Sequence, residues 1–276
     1  MREKDMTENM TIALIGGGRI GEALLGGLVA AGHAPERLVV AEPHAGRGAE
    51  LTERYGVRTV TAIAEAVDGA GLVVIAVKPD VVASVLPDVA GALGDGAVVA
   101  SVAAGVPTPT YEAALPAGTP VVRVMPNTAM LVGRSMSGIS GGRDAGEAHV
   151  ALVRGIMEAV GQTLVVPESK LDALTALSGS GPAYAFLVAE AMIDAGVDLG
   201  LTRDQATTLA THTIAGAGAL MVETSSSPVE LRAAVTSPGG TTAAAIRTLE
   251  KNGLRPAFYE ATRACAERSA ELGKRS

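Results

Sequence analysis

The chain has 276 residues, which is enough for two domains of ordinary size. Hydrophobic residues make up 48% of the chain but aromatic residues only 2%, so its core must be built from aliphatic side chains and alanine. The net charge of -7 and the scarcity of aromatic rings argue against nucleic-acid binding, which needs a basic surface and stacking side chains.

The ends and the cysteine content bear on the location of the protein. Residues 1–10 are polar and lack the apolar stretch of a signal peptide, so we expect a disordered tail there. No apolar run reaches the length of about 18 residues that a membrane-spanning helix needs. The single cysteine, Cys265, excludes an intrachain disulfide and is typical of the reducing cytoplasm, which is the predicted location. We predict neither a membrane nor a nucleic-acid partner.

Short apolar runs alternate with amphipathic stretches over residues 11–166. Runs rich in Val and Ile are typical of strands in a parallel sheet that is covered on both faces. We therefore predict an α/β fold whose N-terminal part, residues 11–166, is a Rossmann domain with a doubly wound parallel sheet. The predicted strands are Thr11–Ile15, Leu38–Ala41, Leu72–Ala76, Ala97–Val102, Pro120–Arg123 and Gln162–Val166, and the predicted helices include Ile20–Ala31, Ala45–Tyr55, Asp80–Leu93 and Gly146–Val160.

Residues 167–276 show only helical patterns. Thr202 and Gln205 have the spacing of a capping box, and Asn252-Gly253 is a stop signal for a helix that begins at Thr241. The predicted helical stretch Ala206–Met221 is apolar around most of its circumference and must be buried, which so small a domain cannot achieve alone. We therefore predict an all-helical C-terminal domain that binds substrate and pairs with a second copy of the chain.

Three glycines at the first strand-to-helix turn fit the G-x-G-x-x-G pattern. Gly16 permits the tight turn, Gly18 lets the backbone approach a pyrophosphate, and Gly21 allows the helix and the strand to pack closely. The start of the helix, at Arg19 and Ile20, offers free N–H groups to an anion. Because the motif follows a strand and begins a helix, a dinucleotide site is favoured over a glycine-rich structural turn.

The cofactor preference stays open. Glu42 ends the second predicted strand, where an acidic residue usually binds the adenosine ribose and favours NADH. Arg19 and Arg47 are nearby in the sequence, and either could neutralise the 2′-phosphate of NADPH or be a solvated surface charge. The predicted cofactor is therefore NADPH or NADH.

Two further segments are predicted to border the cofactor. Ala76, Val77, Lys78 and Pro79 stand at the end of the third predicted strand, where ligands bind in open α/β sheets. For Lys78, a place in the lining of the phosphate or ribose region is favoured over catalysis. Asn127 is predicted to support the nicotinamide, the alternative being a turn residue.

A second glycine-centred motif, Ser237–Thr242, begins the helix predicted from Thr241. Unpaired N–H groups at a helix start form an anion site that suits a carboxylate. Thr242 lies in the first turn, and we predict it as the catalytic residue that orients a ring nitrogen; the alternative is that Thr241 and Thr242 only cap their helix. The predicted substrate-binding residues of this motif are Ser237, Gly239, Gly240 and Thr241.

Another break interrupts the helical pattern of the C-terminal half. Glycine and proline break a helix at an energetic cost, which usually marks a site, although a plain connection between helices is the alternative. The substrate-binding residues predicted here are Ser178, Gly179, Ser180 and Gly181. The four histidines are scattered without the spacing of metal ligands, so no metal is predicted.

Taken together and in this order, the motifs resemble those of the pyrroline-5-carboxylate reductase family, over about Thr11 to Leu272. The resemblance implies reduction of (S)-1-pyrroline-5-carboxylate to L-proline, the last step of proline biosynthesis, with NADPH or NADH. It also implies a helical domain interlaced with that of a partner subunit, in dimers that often form decamers. Ile63 and Glu42 depart from the family pattern, which often has Asn and no acid at these positions. The motifs are the glycine-rich turn, Ala76–Pro79, Arg123–Asn127, Ser178–Tyr184 and Ser237–Thr242.

Other hypotheses remain. A 3-hydroxyacid dehydrogenase shares the two-domain plan, but it typically needs a catalytic lysine in the helical domain, and residues 171–250 contain no lysine. A non-catalytic nucleotide-binding protein would keep the first glycine motif without needing Ser237–Thr242. A reductase of another cyclic imine, such as the six-membered homologue, also fits the motifs.

Overall fold

The computed structural model describes residues 10–273. Of the tail predicted for residues 1–10, only Met10 is among them. Its side chain covers Gly71 and packs against the core of the sheet. The rest of that prediction lies outside the described residues.

Eight strands in the described part of the chain form one sheet. Their order is 3-2-1-4-5-6-7-8, and all neighbours are parallel except the sixth and seventh strands. The order 3-2-1-4-5-6 is that of a doubly wound dinucleotide-binding fold, so the predicted Rossmann domain is confirmed. The strands are β1 (Ile12–Ile15), β2 (Leu38–Ala41), β3 (Arg58–Val60), β4 (Leu72–Ile75), β5 (Val98–Ser101), β6 (Val121–Met125), β7 (Ser135–Gly141) and β8 (Gly161–Val165).

Helices cover the sheet and make up the C-terminal part, and no strand follows β8 within residues 10–273. Short 3₁₀ turns occur at Pro35–Arg37, Thr128–Val132, Glu158–Val160 and Glu168–Lys170, and a π-helical turn at Thr175–Gly179. The α-helices are α1 (Arg19–Ala30), α2 (Ala45–Tyr55), α3 (Ile63–Val67), α4 (Pro79–Ala92), α5 (Thr108–Ala114), α6 (Glu147–Met157), α7 (Leu171–Leu174), α8 (Gly181–Asp198), α9 (Arg203–Glu223), α10 (Pro228–Ala234), α11 (Thr241–Lys251) and α12 (Leu254–Gly273).

The central strands are buried on both faces. In β1, Ile12 and Leu14 face one core, which includes Leu24 of α1. Ala13 and Ile15 face the other core, with side chains of α4. Burial of every residue explains why these strands read as continuous apolar runs. Parallel pairing of β1 with β2 and with β4 places the carboxyl ends of the three strands side by side.

Two strands were not predicted. β3 is a three-residue strand at the edge of the sheet with an exposed Arg58, so no apolar run marks it. β7 is built from serine, glycine, methionine and isoleucine, and its serines are buried although they are polar. Pattern recognition based on apolar runs misses both strands, and with β7 it misses the antiparallel pair.

Contacts divide the chain into two units. One comprises the described residues up to Ser180 together with those from Cys265 onward, and the other comprises Gly181–Ala264. The first unit contains the sheet, and the second contains only helices. The domain boundary predicted between residues 166 and 167 stays a prediction.

The helices of the second unit expose much apolar surface. No residue of α8 is buried, and in α9 only Ala206 and Ala210 are. Large apolar side chains on these two helices are open, among them Phe186, Leu187, Leu209, Met221 and Val222. A surface of this kind indicates an interface with another molecule. None of the helices in residues 10–273 has both the length and the apolar character needed to cross a membrane.

Candidate active site

The glycine turn between β1 and α1 is shaped by backbone contacts that exclude larger residues. Gly16 has a φ of +106°, a region that favours glycine, and its N–H donates to the carbonyl of Ala41 at 2.9 Å. A Cβ on Gly21 would lie 2.1 Å from the carbonyl oxygen of Gly16. Helix and strand can therefore approach this closely only because both positions are glycine.

In front of this turn the space is open. A Cβ on Gly18, the residue that caps α1, would have no heavy atom within 4 Å. The N–H groups at Arg19 and Ile20, in the first turn of α1, have no acceptor within the helix. The guanidinium of Arg19 is exposed and makes no hydrogen bond or ion pair with the described residues. This open cradle of N–H groups fits the pyrophosphate of a dinucleotide.

Gly17, the middle glycine of the turn, forms a hydrogen bond with a side chain through its N–H and another through its carbonyl. Its N–H donates to Glu42 Oε2 at 3.0 Å, and its carbonyl accepts from Arg47 Nε at 3.0 Å. A Cβ on Gly17 would lie 2.6 Å from Leu51 Cδ1. Gly17 fills a variable position of the G-x-G-x-x-G pattern, so the pattern assigns it no role; the run of three glycines is the sequence signal that marks it.

Glu42 lies at the end of β2 and is only 8% exposed. Besides Gly17, its carboxylate binds His44, whose backbone N–H donates at 3.0 Å and whose Nδ1 lies 2.8 Å away. Burial alone raises the pKa of Glu42, but the hydrogen bonds from His44 and Gly17 outweigh it and hold the pKa below its ordinary value. The side chain is thus a carboxylate bound mainly by the protein.

Arg47, at the start of α2, is also bound to the protein. Its guanidinium pairs with Glu22 of α1 and, at 3.0 Å, with Glu50. Glu22 accepts further bonds from Arg54 at 2.9 Å and from the Tyr55 hydroxyl at 3.2 Å. Hydrogen bonds to Glu22 and Glu50 raise the pKa of Arg47. Burial raises the pKa of Glu22, but the bonds from Arg47 and Tyr55 and the charge of Arg54 outweigh it, so that pKa lies below its ordinary value. The network ties α1 to α2 beside the glycine turn.

The segment after β4 lies against the glycine turn, and its predicted contact with the cofactor stays a prediction. The Ala76 N–H donates to the carbonyl of Ile15 at 2.9 Å. A Cβ on Gly16 would lie 3.0 Å from the Ala76 oxygen and 3.1 Å from Val77 Cγ1. Lys78 caps α4 and Pro79 begins it; the Lys78 ammonium is exposed and unpaired among the described residues.

The structure also brings Asn127 to the predicted turn at Ser178. Asn127 Nδ2 donates to the Ser178 carbonyl at 3.1 Å, and the Ser178 hydroxyl donates to the Met136 carbonyl at 2.9 Å. A Cβ on Gly179 would lie 2.7 Å from Met125 Cε, so this π-helical turn packs against the end of β6. The Ser180 oxygen lies 3.2 Å from Cys265 Sγ. Gly181 begins α8 in the second unit.

A part-buried ion pair supports this side of the sheet. Arg123 of β6, with a side chain 7% exposed, donates to Glu168 Oε1 at 3.0 Å. Glu168 also accepts the Thr108 N–H at 2.8 Å and the Thr108 hydroxyl. Burial raises the pKa of Glu168, but the bonds from Thr108 and Arg123 lower it below its ordinary value. The sequence singles out Arg123 only as part of a family motif and gives no sign of this partner.

The second glycine-centred motif lies in the second unit and begins α11. Gly239 has a φ of +72°, and the Gly240 N–H donates to the Ser237 carbonyl at 3.1 Å. Gly240 is the cap residue, so no side chain caps the helix and Thr241 and Thr242 occupy its first two positions. Neither threonine caps α11, and the first N–H groups of the helix remain available to an anion.

Comparison with known proteins identifies the family. The model of the family described as pyrroline-5-carboxylate reductase dimerisation matches residues 168–272. A second family model, described as NADP oxidoreductase coenzyme F420-dependent, matches residues 11–105. A pyrroline-5-carboxylate reductase from Corynebacterium melassecola is 50% identical over 267 residues, which cover 96% of this chain and 99% of the relative. The chain belongs to the pyrroline-5-carboxylate reductase family.

Solved structures of this reductase family have the same fold. The enzyme from Coxiella burnetii is 37% identical and superposes with a TM-score of 0.92, covering 95% of this chain and 98% of that one. The Plasmodium falciparum reductase, solved with NADP bound, is 29% identical with a TM-score of 0.85, covering 97% and 99%. The predicted family and fold are confirmed. The described residues contain no group of three or more His, Cys, Asp or Glu that could hold a metal ion.

Proposed function

We propose that this chain reduces the C=N bond of (S)-1-pyrroline-5-carboxylate to give L-proline, the last step of proline biosynthesis. The observation that carries the proposal is the 50% identity to a pyrroline-5-carboxylate reductase over 96% of the chain. Both glycine-centred motifs lie at helix starts, as a dinucleotide site and a carboxylate site require.

The cofactor in this proposal is NADPH or NADH, bound at the glycine turn. The open space at Gly18 and the free N–H groups of α1 support it, and so does the NADP bound to the Plasmodium reductase. When bound, the reduced nicotinamide supplies the hydride. The residues proposed to hold the cofactor are Gly16, Gly18, Arg19, Ile20, Gly21, Ala76, Val77, Lys78, Pro79 and Asn127, with Glu42 and Arg47 beside them.

The substrate carboxylate binds the start of α11 in this proposal. The N–H groups at Gly239 and Thr241 suit its charge. The Gly240 N–H already donates to the Ser237 carbonyl, so Gly240 and Ser237 are proposed to shape the turn that presents these groups. The Thr242 hydroxyl accepts the N–H of the protonated ring and thereby orients the imine carbon. The turn Ser178–Gly181 is proposed to contact the rest of the ring.

The reaction needs little acid–base catalysis from side chains. A cyclic imine is basic enough to be protonated near neutral pH, and the iminium ion is a strong electrophile. The protein must mainly align the imine carbon with the hydride donor at about 3–3.5 Å. This explains why the motifs supply backbone N–H groups and a hydroxyl instead of a His-Asp or Ser-His pair.

The match of residues 168–272 to a dimerisation family and the exposed apolar face of α8 and α9 support self-association. We propose dimers formed through the helical part, with decamers as a further prediction. The cytoplasmic location and the absence of nucleic-acid and membrane partners also stay predictions.

The oxidation of NADH and of NADPH, followed by absorbance in separate reactions with pyrroline-5-carboxylate, tests the proposed function. We expect rapid oxidation of at least one cofactor that depends on the imine. Binding of cofactor without oxidation would contradict the proposal and would favour another imine substrate or a non-catalytic nucleotide-binding protein.

A further inference from the structure

We propose that Glu42 and Arg47 are positioning residues that hold Gly17 from opposite sides and fix the shape of the phosphate-binding turn, and that neither reads the adenosine ribose or its 2′-phosphate. The proposal rests on the cofactor site of the proposed function. In this proposal the two charged side chains bind the protein backbone of the turn and do not contact the cofactor.

Gly17 is the point on which both side chains act. Its N–H is bonded to Glu42 and its carbonyl to Arg47, each at 3.0 Å. These bonds fix the orientation of the two peptide links that flank Gly17, and the second link leads directly to Gly18. The orientation of the turn therefore depends on two side chains from the neighbouring β2–α2 region.

The carboxylate of Glu42 has little capacity left for a ribose. Two carboxylate oxygens offer about four acceptor sites, and binding both hydroxyls of a diol needs two of them. Contacts with Gly17 N, His44 N and His44 Nδ1 already engage three. A ribose diol would have to displace a protein donor, and the side chain is almost fully buried.

The guanidinium of Arg47 is likewise already bound to protein groups. It donates to Gly17, Glu22 and Glu50, and the two carboxylates neutralise its charge. A 2′-phosphate would have to compete with them. Arg19, by contrast, makes no bond with the described residues, so its guanidinium is the one left available beside the turn.

A positioning role has a clear signature. The turn contacts the pyrophosphate, which NADH and NADPH share, so loss of either side chain should weaken both cofactors equally. Ribose or 2′-phosphate recognition predicts opposite shifts: loss of Glu42 would favour NADPH, and loss of Arg47 would favour NADH.

The test measures the dissociation constants of NADH and NADPH, without substrate, for the wild type, Glu42→Gln, Arg47→Met and the control Glu50→Gln. We expect both first variants to weaken each cofactor about tenfold, with the NADH-to-NADPH ratio within about threefold of the wild type. The control removes an exposed partner of Arg47 and leaves Gly17 bonded, so it should change neither constant by more than about twofold.

Hydrogen exchange over residues 12–21 provides a second readout. It should speed up in Glu42→Gln and Arg47→Met without cofactor, but not in Glu50→Gln. Each variant tests the proposal alone, so failure of one to fold leaves the other decisive. In either variant taken by itself, a ratio shift above about threefold, toward NADPH in Glu42→Gln or toward NADH in Arg47→Met, would overturn the proposal. Unchanged binding together with unchanged exchange in either variant would overturn it as well. A wild type that binds neither cofactor would overturn the cofactor site itself, and this proposal with it.

Discussion

Thr242 is the side chain on which the proposed chemistry depends most. It is half-buried at the second position of α11, and it does not cap the helix. Helix capping therefore does not account for the threonine hydroxyl at this position. A substitution at this position keeps the backbone N–H groups and can remove the hydroxyl.

We expect Thr242→Ala to lower kcat/KM for pyrroline-5-carboxylate by about ten- to a thousandfold, because one or two hydrogen bonds are lost in the transition state. Thr242→Ser keeps the hydroxyl and should stay within about fivefold of the wild type. Steady-state kinetics at saturating cofactor measure both. Unchanged kinetics in Thr242→Ala would remove the residue from the mechanism.

The glycines of the first turn separate a binding effect from a folding effect. A Cβ at Gly18 enters open space, whereas one at Gly21 meets the Gly16 carbonyl oxygen at 2.1 Å. Gly18→Ala should therefore keep the Tm within about 2 °C but weaken NADPH binding, since the methyl group occupies the cradle. Gly21→Ala should lower both the Tm and the affinity. A Gly18→Ala protein that binds NADPH as tightly as the wild type would contradict this assignment.

At the scale of elements, the Arg123–Glu168 pair joins β6 to the segment that follows β8. Arg123 is buried, so removal of its partner leaves a charge without compensation. Because the pKa of Glu168 is lowered in the folded protein, the pair stabilises fully above the unfolded pKa, near 4.5. That contribution is lost as the pH falls through the lower folded pKa.

We expect Glu168→Gln to reduce the free energy of unfolding by about 2–4 kcal/mol at pH 7. Its difference from the wild type should shrink progressively below pH 4.5. Urea unfolding from pH 7 to pH 3 measures this. Glu158→Gln, which breaks an exposed pair with Arg154, should cost less than about 1 kcal/mol. A constant difference across the pH range would show that Glu168 does not act through its charge.

The elements predicted well are those whose burial produces a recognisable hydrophobic pattern in the sequence. Leu38–Ala41 and Ala45–Tyr55 match the predicted bounds because one is buried on both faces and the other is amphipathic. The contacts of Glu42 with Gly17 and of Glu168 with Arg123 join residues 25 and 45 positions apart, so chain spacing cannot reveal them. The sequence therefore locates the glycine turns, whereas only the fold shows which charged groups are already paired.

For the whole molecule, the exposed apolar face of α8 and α9 is the feature that a single chain leaves unexplained. Leu209 is 56% exposed on α9, in a helix with few charges. The dimerisation family model covers this region. Burial of such side chains against a second copy would stabilise both chains and make the Tm depend on protein concentration.

We expect Leu209→Glu to shift the protein toward monomer in sedimentation velocity, because a charge would be buried in the interface. Val132→Glu changes an exposed apolar residue of the first unit and serves as the control, with no change in the dimer expected. A dimer of undiminished affinity in Leu209→Glu would place the interface elsewhere.

Hydride transfer from the nicotinamide to the imine carbon is the step on which the proposed function depends. The most direct test uses cofactor that carries deuterium at the transferring position of the reduced nicotinamide, with mass analysis of the product. We predict proline one mass unit heavier, with deuterium at the ring carbon that was double-bonded to nitrogen. Unlabelled proline, or no proline despite cofactor binding, would contradict the account.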